Sequence, residues 1–310
     1  MFSNLRKKSV WALLLVMALM VSVIAGCGQT KEQAPAAKKA VVGLAVSTLN
    51  NPFFVDLRDG AKAAADANGI ELVVMDAQND ASKQLANIEN LIQQKVSVII
   101  VNPVDSKAIV PAIEAANKAN IPVITVDRGA AGGTVVSAIA SDNVAGGKMA
   151  GQLIVDKIGG KGKVVELEGI PGTSAANDRG KGFNEAIKAA AGITVVAKQP
   201  ADFDRAKGMK VMENILQANP EINAVFAHND EMALGALEAI KASNRANVMV
   251  VGFDATADAV KAVNEGTLAA TVAQKPKDMG KVSIETAKKV MAKETVPASI
   301  PVALELVVKK

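Results

Sequence analysis

From residue 41 onward, short β-branched runs alternate with stretches whose apolar residues recur at helical spacing. Candidate strands fall at 41–47, 71–75, 96–101, 123–126 and 135–139, and again at 163–168, 194–198, 224–227, 248–252 and 269–273. Helical patterns lie between them. One opens on Asn51-Pro52, a cap followed by proline at the first helical position, and carries Phe54, Leu57, Ala61 and Ala65 on one face. Another carries Leu85, Ile88, Leu91 and Ile92. Continuous apolar strands alternating with helices predict parallel sheets covered on both faces. Two sheets of about five strands each suit ordinary domain sizes better than a single sheet of all of them. A weak internal repeat points the same way. Asp80, Lys83, Glu89, Asn90, Leu91 and Ile92 recur as Asp204, Lys207, Glu213, Asn214, Ile215 and Leu216, offset by 124, and each copy runs into a strand.

Ahead of this pattern stands Arg6-Lys7-Lys8, then an apolar run over 10–24 broken only by Ser22, ending in Ile24-Ala25-Gly26-Cys27. Small residues before the sole cysteine predict a lipoprotein export signal over 1–26. The Cys27 thiol then takes a diacylglyceryl group and anchors the protein on the extracytoplasmic face of the cell membrane. The alternatives are an ordinary cleaved signal, which leaves the protein in the periplasm, and an uncleaved anchor. Residues 27–39 show no apolar period and read as a flexible tether.

Composition narrows the classes. A chain of 310 residues, 21% charged and 50% hydrophobic, suits one or two globular domains and neither an integral membrane protein nor a disordered one. One cysteine excludes an intramolecular disulfide, and one histidine argues against zinc, so no metal or cofactor is expected. The formal net charge is +4, and Arg6, Lys7 and Lys8 supply three of those charges. The near-neutral remainder gives no electrostatic footprint for nucleic acid. No G-x-x-x-x-G-K-[ST], H-E-x-x-H or G-x-S-x-G occurs.

In open α/β sheets, ligands bind beyond the carboxyl ends of the strands. After the first candidate strand come Ser47, Asn51, Phe53 and Phe54; after the fourth, Asp127 and Arg128. In the second set come a Gly-Ile-Pro-Gly loop leading to Arg179, then Phe203 and Asp204, His228 and Asn229, Phe253 and Asp254, and Gln274. Of the six Phe beyond the signal, four sit at these strand ends, beside planar groups able to make paired hydrogen bonds. Flat apolar rings with paired donors and acceptors suit a pyranose or furanose. Trp11 is the only Trp and there is no Tyr, so stacking beyond the signal falls to Phe. Each residue also has a plainer reading. Phe53 and Phe54 fit a helix core, Asp127-Arg128 a surface ion pair, Asp254 a helix cap, Arg179 a solvated charge and His228 a structural neighbour. Their convergence on one edge favours the joint reading. Asp127 and Asp254 could instead form a glycosidase carboxylate pair, although the adjacent Arg128 tends to keep Asp127 ionised, which is poor for a general acid.

Five stretches carry a resemblance that spans essentially everything from about Val41 to Lys309. Val46-Ser47-Thr48-Leu49-Asn50-Asn51-Pro52-Phe53-Phe54, Thr125-Val126-Asp127-Arg128 and Pro200-Ala201-Asp202-Phe203-Asp204-Arg205 are three of them. Asn229-Asp230-Glu231-Met232-Ala233-Leu234-Gly235-Ala236 and Val251-Gly252-Phe253-Asp254 are the others. Together they resemble the ribose-binding members of the periplasmic binding protein type 1 family. The resemblance implies an α/β protein of two doubly wound parallel-sheet lobes joined by a three-crossover hinge. It implies a non-enzymatic, monomeric binding protein that closes on D-ribose or a similar monosaccharide and delivers it to an ABC transporter permease. Another pentose, allose and a furanosyl signal molecule are alternative ligands. By the same resemblance Phe53, Phe54 and Phe203 stack on the sugar. Asn51, Asp127, Arg128, Arg179, Asn229, Asp254 and Gln274 take its hydroxyls, and Ser47 is a supporting contact at the cleft edge. One lobe would hold 40–141 and 275–303, the other 142–274 and 304–310. A regulator of the lactose-repressor type shares this architecture, but needs a helix-turn-helix where this chain has an export signal.

Overall fold

The alternation of buried β-branched runs with amphipathic helices closes into two six-stranded sheets within one compact unit, Lys39–Lys310. The computed structural model describes residues 39–309. The predicted export signal, the predicted lipidation site Cys27 and the expected 27–39 tether short of its last residue lie outside the described residues, as does Lys310.

The first sheet has the order β11-β5-β4-β3-β1-β2. Its strands are β1 Val41–Val46, β2 Glu71–Asp76, β3 Val98–Val101, β4 Val123–Val126, β5 Ser137–Ser141 and β11 Ser299–Val302. The second repeats the order as β12-β10-β9-β8-β6-β7. Its strands are β6 Lys161–Glu168, β7 Gly192–Pro200, β8 Ala224–Ala227, β9 Met249–Asp254, β10 Ala270–Ala273 and β12 Glu305–Val308. β3, β4 and β8 are buried at every position, as strands covered on both faces must be.

Helices supply the cover. On one face of the first sheet lie α1 (Pro52–Ala67) and α9 (Pro276–Met291), through Leu57, Ala61, Met279 and Ile284. On its other face lie α2 (Ala81–Gln93) and α3 (Val110–Lys118), through Ile88, Leu91 and Ile113. The second sheet is covered by α4 (Asn143–Lys157) and α5 (Ser174–Lys188) on one side. On the other are α6 (Arg205–Ala218), α7 (Asp230–Ala242) and α8 (Ala257–Glu265). The chain passes between the sheets three times: between β5 and α4, between β10 and α9, and between β11 and β12.

The strands differ from expectation in two ways. β11 and β12 were not foreseen, which raises each sheet from five strands to six. β11 contains Pro301, and both strands mix half-buried with exposed positions, with no fully buried residue in either. β12 also runs antiparallel to β10, breaking an otherwise parallel pattern. The reversed direction of β12 follows from the last crossing, from Val302 to Glu305, which is too short for a helical crossover.

α4 and α5 approach closely because both carry glycine at the contact. A Cβ at Gly147 would strike the Arg179 carbonyl, and one at Gly182 the Val144 carbonyl. This contact sets the height of Arg179 over the sheet. Gly147→Ala is expected to destabilise the protein by about 1–3 kcal/mol through overpacking. Urea denaturation checks this, and an unchanged midpoint would mean that the helices separate at no cost.

Candidate functional site

In each sheet the strand order reverses beside the first strand of the set, β1 in one and β6 in the other. Loops diverge there and leave a crevice at the carboxyl ends. The two crevices face each other. Asn51, Phe53, Phe54, Asp127, Arg128, Arg179, Phe203, Asn229, Asp254 and Gln274 line one cavity with about 250 Å³ of atom-free space. Every proposed contact except Ser47 therefore lies on its wall. Ser47 is fully buried behind it, its N–H donating to Asn102 Oδ1 at 3.2 Å. Ala175 joins the lining, with no chemical signal in the sequence to mark it. Over the cavity the lobes touch directly: Ser106 N–H donates to the Gly172 carbonyl and Gly129 N–H to Ser174 Oγ.

Helix capping orients the two asparagines. Asn51 caps α1, its Oδ1 accepting from Phe53 N–H at 2.9 Å, so its amide nitrogen is left as a donor. Asn229 caps α7 in the same way, accepting from Met232 N–H at 3.0 Å, while its Nδ2 donates to the Phe203 carbonyl at 3.3 Å. Three other lining residues sit at positive φ: Asp127 at 63°, Phe203 at 59° and Asp254 at 123°. Non-glycine residues there cost of order 1–3 kcal/mol each. The conformation turns each side chain off its strand end and into the cavity.

Rings and guanidinium groups alternate across the site. Arg128 lies 5.1 Å from the Phe54 ring of its own lobe and 5.3 Å from Phe203 of the other. Arg179 lies 3.8 Å over Phe253. Phe53 and Phe54 meet edge to face. Arg128 Nη1 donates to the Pro103 carbonyl at 3.2 Å, and its Nε stands 3.8 Å from Asp127 Oδ2. Arg179 is held more tightly, by Asn143 Oδ1 at 2.8 Å and the His228 carbonyl at 2.6 Å, with Asp254 Oδ1 at 3.7 Å. Asn102 Nδ2 donates to Asp127 Oδ2 at 3.0 Å, and Gln274 Nε2 to Asp254 Oδ1 at 2.9 Å. Two polar atoms stay unpaired in this buried space: Arg128 Nε and Gln274 Oε1.

Burial opposes all four charges. It pushes Asp127 above the usual carboxylate range, against the pull of Arg128 and Arg179. It lowers Arg128 to about 10, which still leaves it protonated at neutral pH. Asp254 is pushed well up by burial, with Asp230 behind it adding to the effect and Arg179 opposing. Asp230 itself is raised to about 7 by burial, although the Thr271 hydroxyl and the Thr256 N–H both donate to it. Each carboxylate already has fixed neighbours: Asp127 accepts from Asn102 and faces Arg128, and Asp254 accepts from Gln274 and faces Arg179.

A family model described as a periplasmic binding protein domain matches residues 42–295. Among curated proteins, the ribose import binding protein RbsB of Escherichia coli (strain K12) is 54% identical over 294 residues, covering 95% of this chain and 98% of that protein. The ribose import binding protein RbsB of Bacillus subtilis (strain 168) is 50% identical over 273 residues, 88% of each chain. Among solved structures, an Actinobacillus succinogenes solute-binding protein with bound D-allose superposes with a TM-score of 0.83 at 35% identity, covering 87% of this chain and 98% of that one.

The raised Asp230 has a consequence for stability. Its folded pKa of about 7 exceeds the unfolded value, so the native state holds a proton that the unfolded chain has released. Stability therefore falls as pH rises from about 4 to about 7, and the loss is complete above that window. Asp230→Asn removes this titration. The variant is expected to gain stability relative to the parent at pH 8 but not at pH 4, read from urea midpoints without ligand.

Proposed function

The chain belongs to the periplasmic binding protein family, and on that premise we propose that it captures D-ribose between its lobes by hinge closure and delivers it to an ABC importer. The observation that carries this reading is the cavity itself. Ring faces and charged planar groups from both lobes meet on the wall of one cavity, and two buried atoms of those residues, the donor Arg128 Nε and the acceptor Gln274 Oε1, have no partner. Vicinal hydroxyls can serve both, since each hydroxyl donates and accepts. The relatives of about half identity named for ribose favour this sugar over the allose bound by the more distant solved relative.

In this reading the sugar's C–H faces lie against Phe53, Phe54 and Phe203. Asp127, Arg128, Arg179 and Asp254 take its hydroxyls in charge-assisted bonds, with Asn51, Asn229 and Gln274 completing the set. Such bonds contribute about 1.5–3 kcal/mol each. Several of them, less ordering costs, reach the roughly −8 kcal/mol of a micromolar complex. A sugar lacking one hydroxyl leaves a buried charge unpaired, which is the source of specificity. The lobes are 40–141 with 275–303 and 142–274 with 304–310, and the three crossings between them form the hinge. No catalytic residue is assigned.

An extracytoplasmic location goes with membership of this family. No helix among the described residues is long and apolar enough to cross a membrane. The lipid on Cys27 is the proposed tether to the cell membrane, holding a monomer beside its permease.

Asp127→Ala or Arg128→Ala each leaves a buried partner charge unpaired, a cost of about 2–5 kcal/mol that removes ribose binding from calorimetric range. Retained affinity would refute the assignment. In a thermal-shift panel of monosaccharides, ribose should give the largest shift, and a larger one with allose would move the reading to that sugar. Cys27→Ser should transfer the protein from the membrane fraction to the soluble fraction, and unchanged membrane association would dismiss the lipid anchor.

A further inference from the structure

Two residues outside the cavity lining occupy the same place in the two lobes. β1 pairs with β3 so that Ala45 stands opposite Val101, and β6 pairs with β8 so that Leu167 stands opposite Ala227. One residue further, Asn102 N–H donates to the Ala45 carbonyl and His228 N–H to the Leu167 carbonyl, both at 2.9 Å. Asn102 and His228 are thus equivalent by register. Their side chains then do the same thing. Ser47 N–H donates to Asn102 Oδ1 at 3.2 Å, and Gly169 N–H donates to His228 Nδ1 at 3.3 Å. In each lobe, one side chain beyond the third strand ties down the backbone where the first strand ends.

From this anchor each residue reaches a charged group of the cavity. Asn102 Nδ2 holds Asp127, and the His228 carbonyl takes Arg179 Nη1 at 2.6 Å. The His228 ring has no freedom to move that carbonyl. Since Nδ1 accepts from Gly169, Nε2 carries the proton and donates to Glu166 Oε1 at 3.0 Å. Asn184 Nδ2 donates to the other Glu166 oxygen at 3.0 Å, and Lys198 lies 3.6 Å from it. His228 and Glu166 are both fully buried. A Cβ at Gly180, next to Arg179, would lie 3.0 Å from Glu166 Oε1 and 3.2 Å from His228 Cε1, so the helix carrying the arginine rests on this pair. Burial lowers the His228 pKa against the pull of Glu166, in keeping with the neutral ring these bonds require.

We infer that His228 is a positioning residue of the sugar site, fixing Arg179 in its lobe as Asn102 fixes Asp127 in the other. The inference rests on the ribose reading and adds a residue that touches no sugar. Calorimetric titration of D-ribose into the parent, His228→Gln and His228→Leu tests it, with urea midpoints taken alongside. Gln presents an acceptor to Gly169 and a donor to Glu166, and should keep Kd within about threefold, whereas Leu fills the space with neither and should weaken binding at least about tenfold. Because His228 acts through Arg179, the same Leu change in an Arg179→Lys background should cost less than about threefold more. His228→Leu binding as tightly as the parent overturns the inference, as does an equal loss in both backgrounds. So does a Gln variant as weak as Leu. Where Leu does not yield folded protein, His228→Asn replaces it: this variant copies the other lobe but falls short of Glu166, and an affinity equal to the parent's again overturns the inference. A parent silent towards ribose defeats the proposed sugar and this inference together. A parent that binds beside an unaffected Leu variant defeats this inference alone.

Discussion

Four charges share a space that water scarcely reaches. Asp127 and Arg128 are each 3% exposed, Arg179 3% and Asp254 6%. A lone buried charge costs far more than one hydrogen bond returns, so each needs a fixed partner before any ligand arrives. Arg179 has three, in Asn143, the His228 carbonyl and Asp254. Asp127 has Asn102, and Asp254 has Gln274. Arg128 is the least satisfied, with one carbonyl, a carboxylate at 3.8 Å and two aromatic faces. The strand ends, caps and left-handed residues around the cavity serve this requirement. They hold polar heads to the geometry at which buried charge is tolerable.

The two lobes meet it with one scaffold and different chemistry. The repeat offset of 124 corresponds to a shared turn. Gln78 and Asn79 at φ of 54° and 58° precede the Asp80 cap of α2, and Asp202 and Phe203 at 55° and 59° precede the Asp204 cap of α6. Each cap accepts from the N–H of a lysine three residues on. The second left-handed residue is an exposed Asn79 in one lobe, a residue type that visits this region readily. In the other it is a buried Phe203, for which the conformation is strained. The strain is sustained because the ring closes the cavity between Arg128 and Arg179. The two lobes share this frame, and the departure from symmetry at this turn falls where a ring lines the cavity.

Most of the fold was legible because fully buried strands write themselves as β-branched runs. β3 and β4 are of this kind, and the rule that ligands gather at strand carboxyl ends points to ten of the lining residues. What was not legible has physical causes. β11 and β12 are half-exposed edge strands whose pairing is set by the hinge rather than by their own pattern. Ala175 lines the cavity with a methyl group, which carries no chemical signature. Asn102 and His228 act from behind the wall, and their importance lies in bonds to main-chain groups that a sequence does not display. The individual roles of Asp127, Arg128 and Arg179 came from resemblance, because spacing alone does not distinguish a surface ion pair from a buried one.

The unpaired atoms explain why closure and capture belong together. Bringing the lobes into contact removes water from Arg128 Nε and Gln274 Oε1 without replacing the bonds that water made. It also drives Asp127 and Asp254 up from the usual carboxylate range, since each is desolvated beside charges that only partly compensate. Direct contacts across the lobes, such as Ser106 with Gly172 and Gly129 with Ser174, favour the closed arrangement but do nothing for those buried groups. A sugar whose hydroxyls reach the unpaired donor and acceptor removes much of the penalty and leaves the favourable contacts in place. A ligand shifts a conformational equilibrium only by its differential affinity for the two states. In the proposed reading that difference lies in the charged and amide groups of the wall, which makes the closed state answer to a hydroxyl pattern as well as to volume.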